Sequence, residues 1–386
     1  MKTTFPCAAA LSTVLSVGCI SSAATLGPKT YRVYFGTSVE QEQGGIYMAL
    51  LDMQTGQLGK AVHVGHAPRA GFIAIHPDGK YIYSTGANTE FDGVKTGAVN
   101  AFRITEPDGM LAKINARSSG GLGACHVSID PTGKNLLVAN YFGGSCSVLP
   151  IQPDGSLAAA SFTQKHTGSS IHPKRQTAAF THSINCDPAG RFAIVADLGM
   201  DKIMVYRFDA TAGTLTPNNP PFIEIEPGGG PRHFTFHPSG KFAYADLELS
   251  NKVVAFQYDA DKGALKEIQT ISTLPAGFTG ESTTSEILTT PDGQFLYVGN
   301  RGHDSLAIFS IDPGNGTLTA IGHEPTLGKV PRNFNIDPTG TYLLAANLKT
   351  GNVVVFRINR ETGQLEFTGS KIEVPEPICI RFLAAP

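Results

Sequence analysis

The sequence predicts an all-β chain folded as a seven-bladed β-propeller, and three observations carry that prediction. A Pro-x-Gly string recurs six times: Pro77-Asp78-Gly79, Pro131-Thr132-Gly133, Pro188-Ala189-Gly190, Pro238-Ser239-Gly240, Pro291-Asp292-Gly293 and Pro338-Thr339-Gly340. A second string, ending in Gly-x-Leu, recurs seven times and alternates with the first at a period of about fifty residues, the length of a four-stranded blade. The closing stretch PEPICIRFLA, Pro375 to Ala384, resembles the strand before each Pro-x-Gly turn.

The units follow in chain order. The first lacks its Pro-x-Gly turn: Tyr31-Arg32-Val33-Tyr34-Phe35-Gly36-Thr37 reads like a second strand without an inner partner, and LDMQTGQL (Leu51 to Leu58) is its outer turn. In the other six, proline presets one dihedral of the first turn and glycine supplies a positive one. Their outer turns are EPDGML at Glu106, QPDGSL at Gln152, DATAGTL at Asp209, DADKGAL at Asp259, DPGNGTL at Asp312 and NRETGQL at Asn359. Between the turns lie β-rich runs such as KFAYADL and NKVVAFQYD. The C-terminal strand then becomes the innermost strand of the first blade, which closes the ring and removes exposed sheet edges. One domain is expected, from about Lys29 to Pro386.

Composition narrows the function. The formal charge of −2, with no run of Lys and Arg, argues against a nucleic-acid surface. Residues 1–24, MKTTFPCAAALSTVLSVGCISSAA, hold one lysine, a short apolar stretch and small residues at their end, the pattern of a secretory signal peptide cleaved after about Ala24. The run is too short and too broken by Ser and Gly to span a bilayer well. The mature chain is expected to be soluble and exported to the periplasm or the extracellular space, without a transmembrane span and as a monomer. Simple export is favoured over lipid attachment at Cys19, because Ser16 stands where an aliphatic residue is usual. Cys7 and Cys19 leave with the leader; Cys125, Cys146, Cys186 and Cys379 remain, widely spaced and in strand-like runs, and read as buried free thiols. No zinc or calcium spacing is present. Gly228 to Gly230 is followed by no phosphate-loop lysine and reads as a plain loop. Neither cofactor nor metal is expected.

Aligning the units places the polar residues. Six before each proline stand Gly71, Cys125, His182, Arg232, Ser285 and Arg332. Six after the opening residue of each second strand stand Thr37, Ala87, Tyr141, Leu198, Glu248, Arg301 and Leu348. Antiparallel strands rise about 3.3 Å per residue, so both sets end at the mouth of the central channel opposite the Pro-x-Gly turns. Arg232 and Glu248 should meet there, joined by His182 and Arg301 from the flanking blades and Arg332 from the next, with Tyr141 on the channel wall. Any one of these residues reads more readily as a structural ion pair or a packed histidine. Their convergence from consecutive blades, where equivalent positions elsewhere are largely small or apolar, points to function. His126 and His233 lie one residue further on; strand alternation turns them to another face, so packing is expected. Asn140, Asp197, Asp246, Asn300 and Asn347 recur near the end of the second strand and read as hydrogen-bonding partners of turns.

The stretches GPRHFTFHPSGKFAYADLEL, HSINCDPAGRFAIVADLGMDKIMVY, ANYFGGSCSVLPIQPDGSL and VPRNFNIDPTGTYLLAANLKTGNVVVFRI resemble the lactonase family of seven-bladed propellers. That family contains propeller-type 6-phosphogluconolactonases and fungal carboxy-cis,cis-muconate cyclases. The resemblance covers nearly all of the mature chain. In the cyclases the active site is attributed to a His, two Arg and a Glu. By motif these fall on His182 in THSINCDP, Arg232 in GPRHF, Glu248 in DLEL and Arg301 in GNRGHDS. The resemblance therefore implies a lactone hydrolase of the 6-phosphogluconolactonase type, with a small-molecule lactone as partner. Glu248 or His182 would be the base, Arg232 and Arg301 would hold an oxyanion, carboxylate or phosphate, and Arg332 and Tyr141 would bind substrate. Two readings stand beside it. The same four residues could close or open a muconate-type dicarboxylate, or the propeller could be an exported, non-catalytic ligand binder.

Overall fold

The computed structural model describes residues 1–4 and 27–386. The expected leader, with Cys7 and Cys19, lies almost wholly outside the described residues. Twenty-eight strands form seven four-stranded sheets, each a sequential antiparallel meander apart from the closing strand. Blade 1 is built from 30–66 and 377–384, blade 2 from 73–118, blade 3 from 124–165, blade 4 from 181–224, blade 5 from 231–272, blade 6 from 283–325 and blade 7 from 331–373. The ring closes as the repeat count requires: the last strand, Pro377–Ala384, is the innermost of blade 1 and pairs with Thr30–Thr37 from Tyr31–Ala384 to Thr37–Pro377.

The core lies between blades. Each blade is covered on both faces by its neighbours, so its second strand is apolar nearly throughout rather than alternating. NLLVAN (135–140), FAIVAD (192–197), FAYADL (242–247) and YLLAAN (342–347) are buried at every position. Across the closure, Tyr342, Leu344 and Ala346 of blade 7 pack against Val33, Phe35, Leu51 and Ile380 of blade 1. Full burial of one such side chain stabilises the fold by about 1.5–3 kcal/mol.

The Gly-x-Leu turns tie neighbouring blades together. Buried Tyr34, Tyr83, Tyr244 and Tyr297 donate their hydroxyls to the carbonyls of Gly109, Gly155, Gly316 and Gly363, at 2.8–3.0 Å, each in the turn of the following blade. At Gly155 and Gly316 φ is +84° and +76°, and a Cβ would lie 2.2 Å from Tyr81 and 2.4 Å from Phe242. Glycine is therefore demanded twice there, by the dihedral and by the ring of the preceding blade. Cys125, Cys146, Cys186 and Cys379 are all free thiols.

Candidate active site

A repeated bulge builds the channel mouth. In the inner strands of blades 3 to 7, regular pairing breaks at the position six before the proline. It skips between Ala124 and His126, Thr181 and Ser183, Pro231 and Phe234, Thr284 and Ile287, and Pro331 and Asn333. A bulge leaves a residue unpaired and re-aims its side chain. The unpaired residues are Cys125, His182, Arg232 with His233, Ser285 with Glu286, and Arg332.

Glu248, at the end of the second strand of blade 5, is the hub. Its backbone N–H is fixed by the carbonyl of Gly230 at 2.8 Å, and the residue is 2% exposed. Arg232 Nη1 lies 2.5 Å from Glu248 Oε2 and Arg301 Nη2 lies 3.0 Å from the same oxygen. Arg232 Nη1 also donates to His182 Nε2 at 2.5 Å, and Arg232 Nε to the carbonyl of Ser285 at 2.6 Å. Arg301 Nε and Nη2 donate to the carbonyl of Thr284 at 3.1 and 2.5 Å. Arg232 Nη2 and Arg301 Nη1 make no hydrogen bond among the described residues, and both arginines line one cavity. That cavity, of about 680 Å³, is lined by all six residues the sequence singles out: His182, Arg232, Glu248, Arg301, Arg332 and Tyr141.

The electrostatics follow from the contacts. Burial pushes the Glu248 carboxyl up, but Arg301, Arg232, His182 and Arg175 outweigh it and hold the pKa well below the usual carboxylate range. Burial, reinforced by Arg232, holds His182 well below the ordinary histidine value. The ring is therefore neutral at neutral pH. Arginine can only donate, so His182 Nε2 accepts and the ring hydrogen sits on Nδ1, which is buried with no partner among the described residues. Arg332 is pushed down to about 9, first by burial and then by the charges of Arg232 and Arg301.

One cavity residue has no precedent in the repeat. Arg175 lies in the segment 166–180 that joins blades 3 and 4, and its Nη2 donates to Glu248 Oε1 at 2.5 Å and to the Tyr141 hydroxyl at 3.2 Å. The segment is held at both ends. His166 Nδ1 meets Asp197 Oδ2 at 2.7 Å, the Phe180 N–H donates to Asp197 Oδ1 at 2.9 Å, and Gln176 donates to the carbonyl of Leu198 at 2.9 Å. Gly199 makes room for it, since a Cβ there would lie 1.9 Å from the carbonyl of Ala178. Tyr141 stacks on Phe180 at 5.0 Å and stands edge-on to His182 at 5.3 Å. The only sequence signal for Arg175 is that the insertion interrupts the blade period and carries basic residues.

The expected placement of His126 and His233 needs correction. Both are buried, but they face the channel axis, because the bulges interrupt strand alternation. Phe72 of blade 2, His126 of blade 3 and His233 of blade 5 meet at ring distances of 4.3, 5.6 and 5.8 Å. Residues of blades that are not neighbours touch only on the axis, so these rings close the channel beneath the cavity. His233 Nδ1 is 2.7 Å from Glu286 Oε1, and Asn333 donates to the other oxygen of Glu286. The second-strand polar residues do bind backbone groups: Asn140 donates to the carbonyl of Ser119, Asn300 to Thr273 and Asn347 to Thr326, while Asp246 accepts from the His233 N–H. The amides of Gly228 and Gly230 are taken by the Asp201 carboxylate at 2.7 and 2.6 Å, which agrees with a plain loop there.

The channel mouth of this seven-bladed propeller thus holds one buried carboxylate, Glu248, ringed by guanidiniums. The chain belongs to the lactonase, seven-bladed β-propeller family, whose model matches residues 32–382. It is 37% identical to the 6-phosphogluconolactonase of Bacillus subtilis over 353 residues, 92% of this chain and 98% of that protein. It is 36% identical to the 6-phosphogluconolactonase of Formosa agariphila, covering 86% of this chain and 94% of the relative. Among solved structures it resembles the periplasmic gluconolactonase of Pseudomonas aeruginosa, with a TM-score of 0.86 and 32% identity over 92% of this chain and all of that one.

Proposed function

We propose that this protein is a lactonase of the 6-phosphogluconolactonase type, opening a sugar lactone to its aldonic acid at the Glu248 cluster. The observation that carries the reading is the pairing of Glu248 with two guanidiniums, Arg232 and Arg301, that line one cavity and each keep a nitrogen without a hydrogen-bond partner among the described residues. Relatives named as lactonases over almost the whole chain support it.

The chemistry follows from the charges. Water adds to the lactone carbonyl and its proton passes to Glu248. The negative charge that forms on the carbonyl oxygen is met by Arg232 Nη2 and Arg301 Nη1, donors already in place before the reaction. Collapse breaks the ring C–O bond, and Glu248 returns the proton to the leaving alkoxide, so the enzyme ends as it began. A carboxyl held this low is a weak base but a strong acid once protonated. Most of the barrier lowering therefore rests on the arginines, while Glu248 serves the leaving group. His182 is not the base in this scheme, because its acceptor nitrogen is occupied by Arg232; it orients that guanidinium.

Export is part of the same proposal. The leader pattern of residues 1–24 supports it, as does the likeness to a periplasmic gluconolactonase. The test is pH-stat hydrolysis of gluconolactone, 6-phosphogluconolactone and a muconolactone by the mature protein beside Arg232→Ala. Turnover above the spontaneous rate that vanishes in the variant is expected; no turnover on any member, with both proteins folded, overturns the reading in favour of a binding propeller.

A further inference from the structure

Arg332 is a partly buried cation of the cavity with no partner among the described residues. Arg232, Arg301 and Arg175 all reach Glu248, and Arg69 pairs with Glu40 at 2.5 Å on the rim. Lys95, the remaining lining cation, is exposed and solvated. Arg332 makes neither a side-chain hydrogen bond nor an ion pair among the described residues, yet its guanidinium is not sealed off: it borders the cavity beside Cys125, His182 and Arg301. Its neighbours are like charges, and the single carboxylate in the cavity's depth is already shared by three other arginines. A partly desolvated cation without a counter-charge is poised to take an anion. Six blades carry the same bulge, and the position is filled by a neutral cysteine in blade 3 and by Ile378 in blade 1. A cation is therefore no requirement of the bulge.

We infer that Arg332 is the anchor for an anionic substituent of the substrate, a phosphate monoester or a carboxylate carried on the lactone away from the carbonyl. The inference rests on the lactonase reading for its substrate but not for its ligand chemistry. A guanidinium fork takes either anion in two parallel bonds, and the anion supplies the counter-charge that the protein omits. A neutral lactone fills the same cavity without relieving the repulsion among Arg332, Arg232 and Arg301. Arg332 thus sets discrimination between anionic and neutral lactones, while Arg232, Arg301 and Glu248 act on the carbonyl and ring oxygens.

The experiment compares the mature protein with Arg332→Met and Arg332→Lys on three lactones: neutral gluconolactone, 6-phosphogluconolactone and carboxylate-bearing glucarolactone. The expected result is a ratio of kcat/KM, anionic over neutral, that falls about 10- to 100-fold in Arg332→Met, with Arg332→Lys between. Whichever anionic lactone shows the fall tells phosphate from carboxylate. A ratio unchanged by both substitutions overturns the inference and leaves the lactonase reading standing. If no lactone is turned over at all, the lactonase reading fails, and binding of inorganic phosphate decides for Arg332. Phosphate is expected to raise the Tm of the wild type and not of Arg332→Met; equal stabilisation of both overturns the anchor. Arg332→Met without phosphate is expected to melt close to wild type, since it removes an unpaired and partly exposed charge.

Discussion

Two histidine–carboxylate clusters, His166 with Asp197 and His182 with Glu248, both contact the 166–180 segment and are built on opposite principles. In the first, both ring nitrogens are used: Nδ1 on Asp197 at 2.7 Å and Nε2 on the Tyr206 hydroxyl at 2.8 Å. Asp197 also accepts from the N–H groups of Phe180 and Gly199 and from the Thr181 hydroxyl. None of these residues lines the channel-mouth cavity, and the cluster ties the 166–180 segment to blade 4. In the second cluster cations outnumber anions, His182 Nδ1 has no partner among the described residues, and guanidinium nitrogens of arginines that line a cavity of about 680 Å³ make no hydrogen bond among those residues. The residue types are nearly the same. What separates architecture from chemistry is saturation: a filled network rigidifies, whereas a surplus of oriented donors waits for a ligand.

The sharpest way to break this comparison is to disable each carboxylate. Glu248→Gln is expected to lower kcat/KM by about 10²–10⁴-fold, the usual worth of a positioned acid–base group. Asp197→Asn leaves buried donors facing an amide and is expected to cost about 1–3 kcal/mol of stability, read as a lower denaturant midpoint. Equal activity losses in the two variants, at equal stability, would erase the distinction.

Much of this was legible in the repeat. The Pro-x-Gly and Gly-x-Leu strings mark turns whose residue requirements are local, so they reveal the blade count, and the strand left over at the C-terminus reveals the closure. Counting from the prolines also brings Arg232, Glu248, His182, Arg301 and Arg332 to one level, because register converts sequence offset into height. Two things escaped. Alternation misplaced His126 and His233, since a bulge resets the period of two and nothing in PRHFTF announces one. Arg175 escaped because its segment belongs to no repeat, and its position depends on His166 meeting Asp197, 31 residues further on, beside Gly199.

pH sharpens the comparison in a different way. The folded-state pKa of His182 lies well below its ordinary value, and so does that of His126, in both cases first through burial. A depressed histidine contributes stability that is whole above the unfolded value of about 6.5 and is lost as pH falls toward the folded one. Each adds a slope of up to about 1.4 kcal/mol per pH unit. Glu248, also depressed, adds a loss only below its unfolded value of about 4.3. Stability should therefore fall between pH 6.5 and 5 while kcat/KM stays flat, because Glu248 remains ionised throughout. His182→Gln should reduce the stability slope. An acidic limb of kcat/KM that disappears in His182→Gln would make His182 the base and reverse its assignment with Glu248.

The smallest effects separate the loop's two anchors. Arg175 is 38% exposed at its side chain and reaches Glu248 from outside the repeat, so Arg175→Ala should raise KM by about 3- to 10-fold, as loss of a partly solvated charge contact does, with kcat little changed. Tyr206→Phe removes only the hydroxyl that meets His166 Nε2. Leaving that buried nitrogen unpaired should cost about 1–2 kcal/mol in denaturant unfolding and leave KM as it was, because Asp197 still holds His166 and Phe180. A Tyr206→Phe variant that instead reproduces the KM change of Arg175→Ala would show that the saturated cluster sets the height of Arg175 above Glu248, and the two histidine–carboxylate networks would then be one machine.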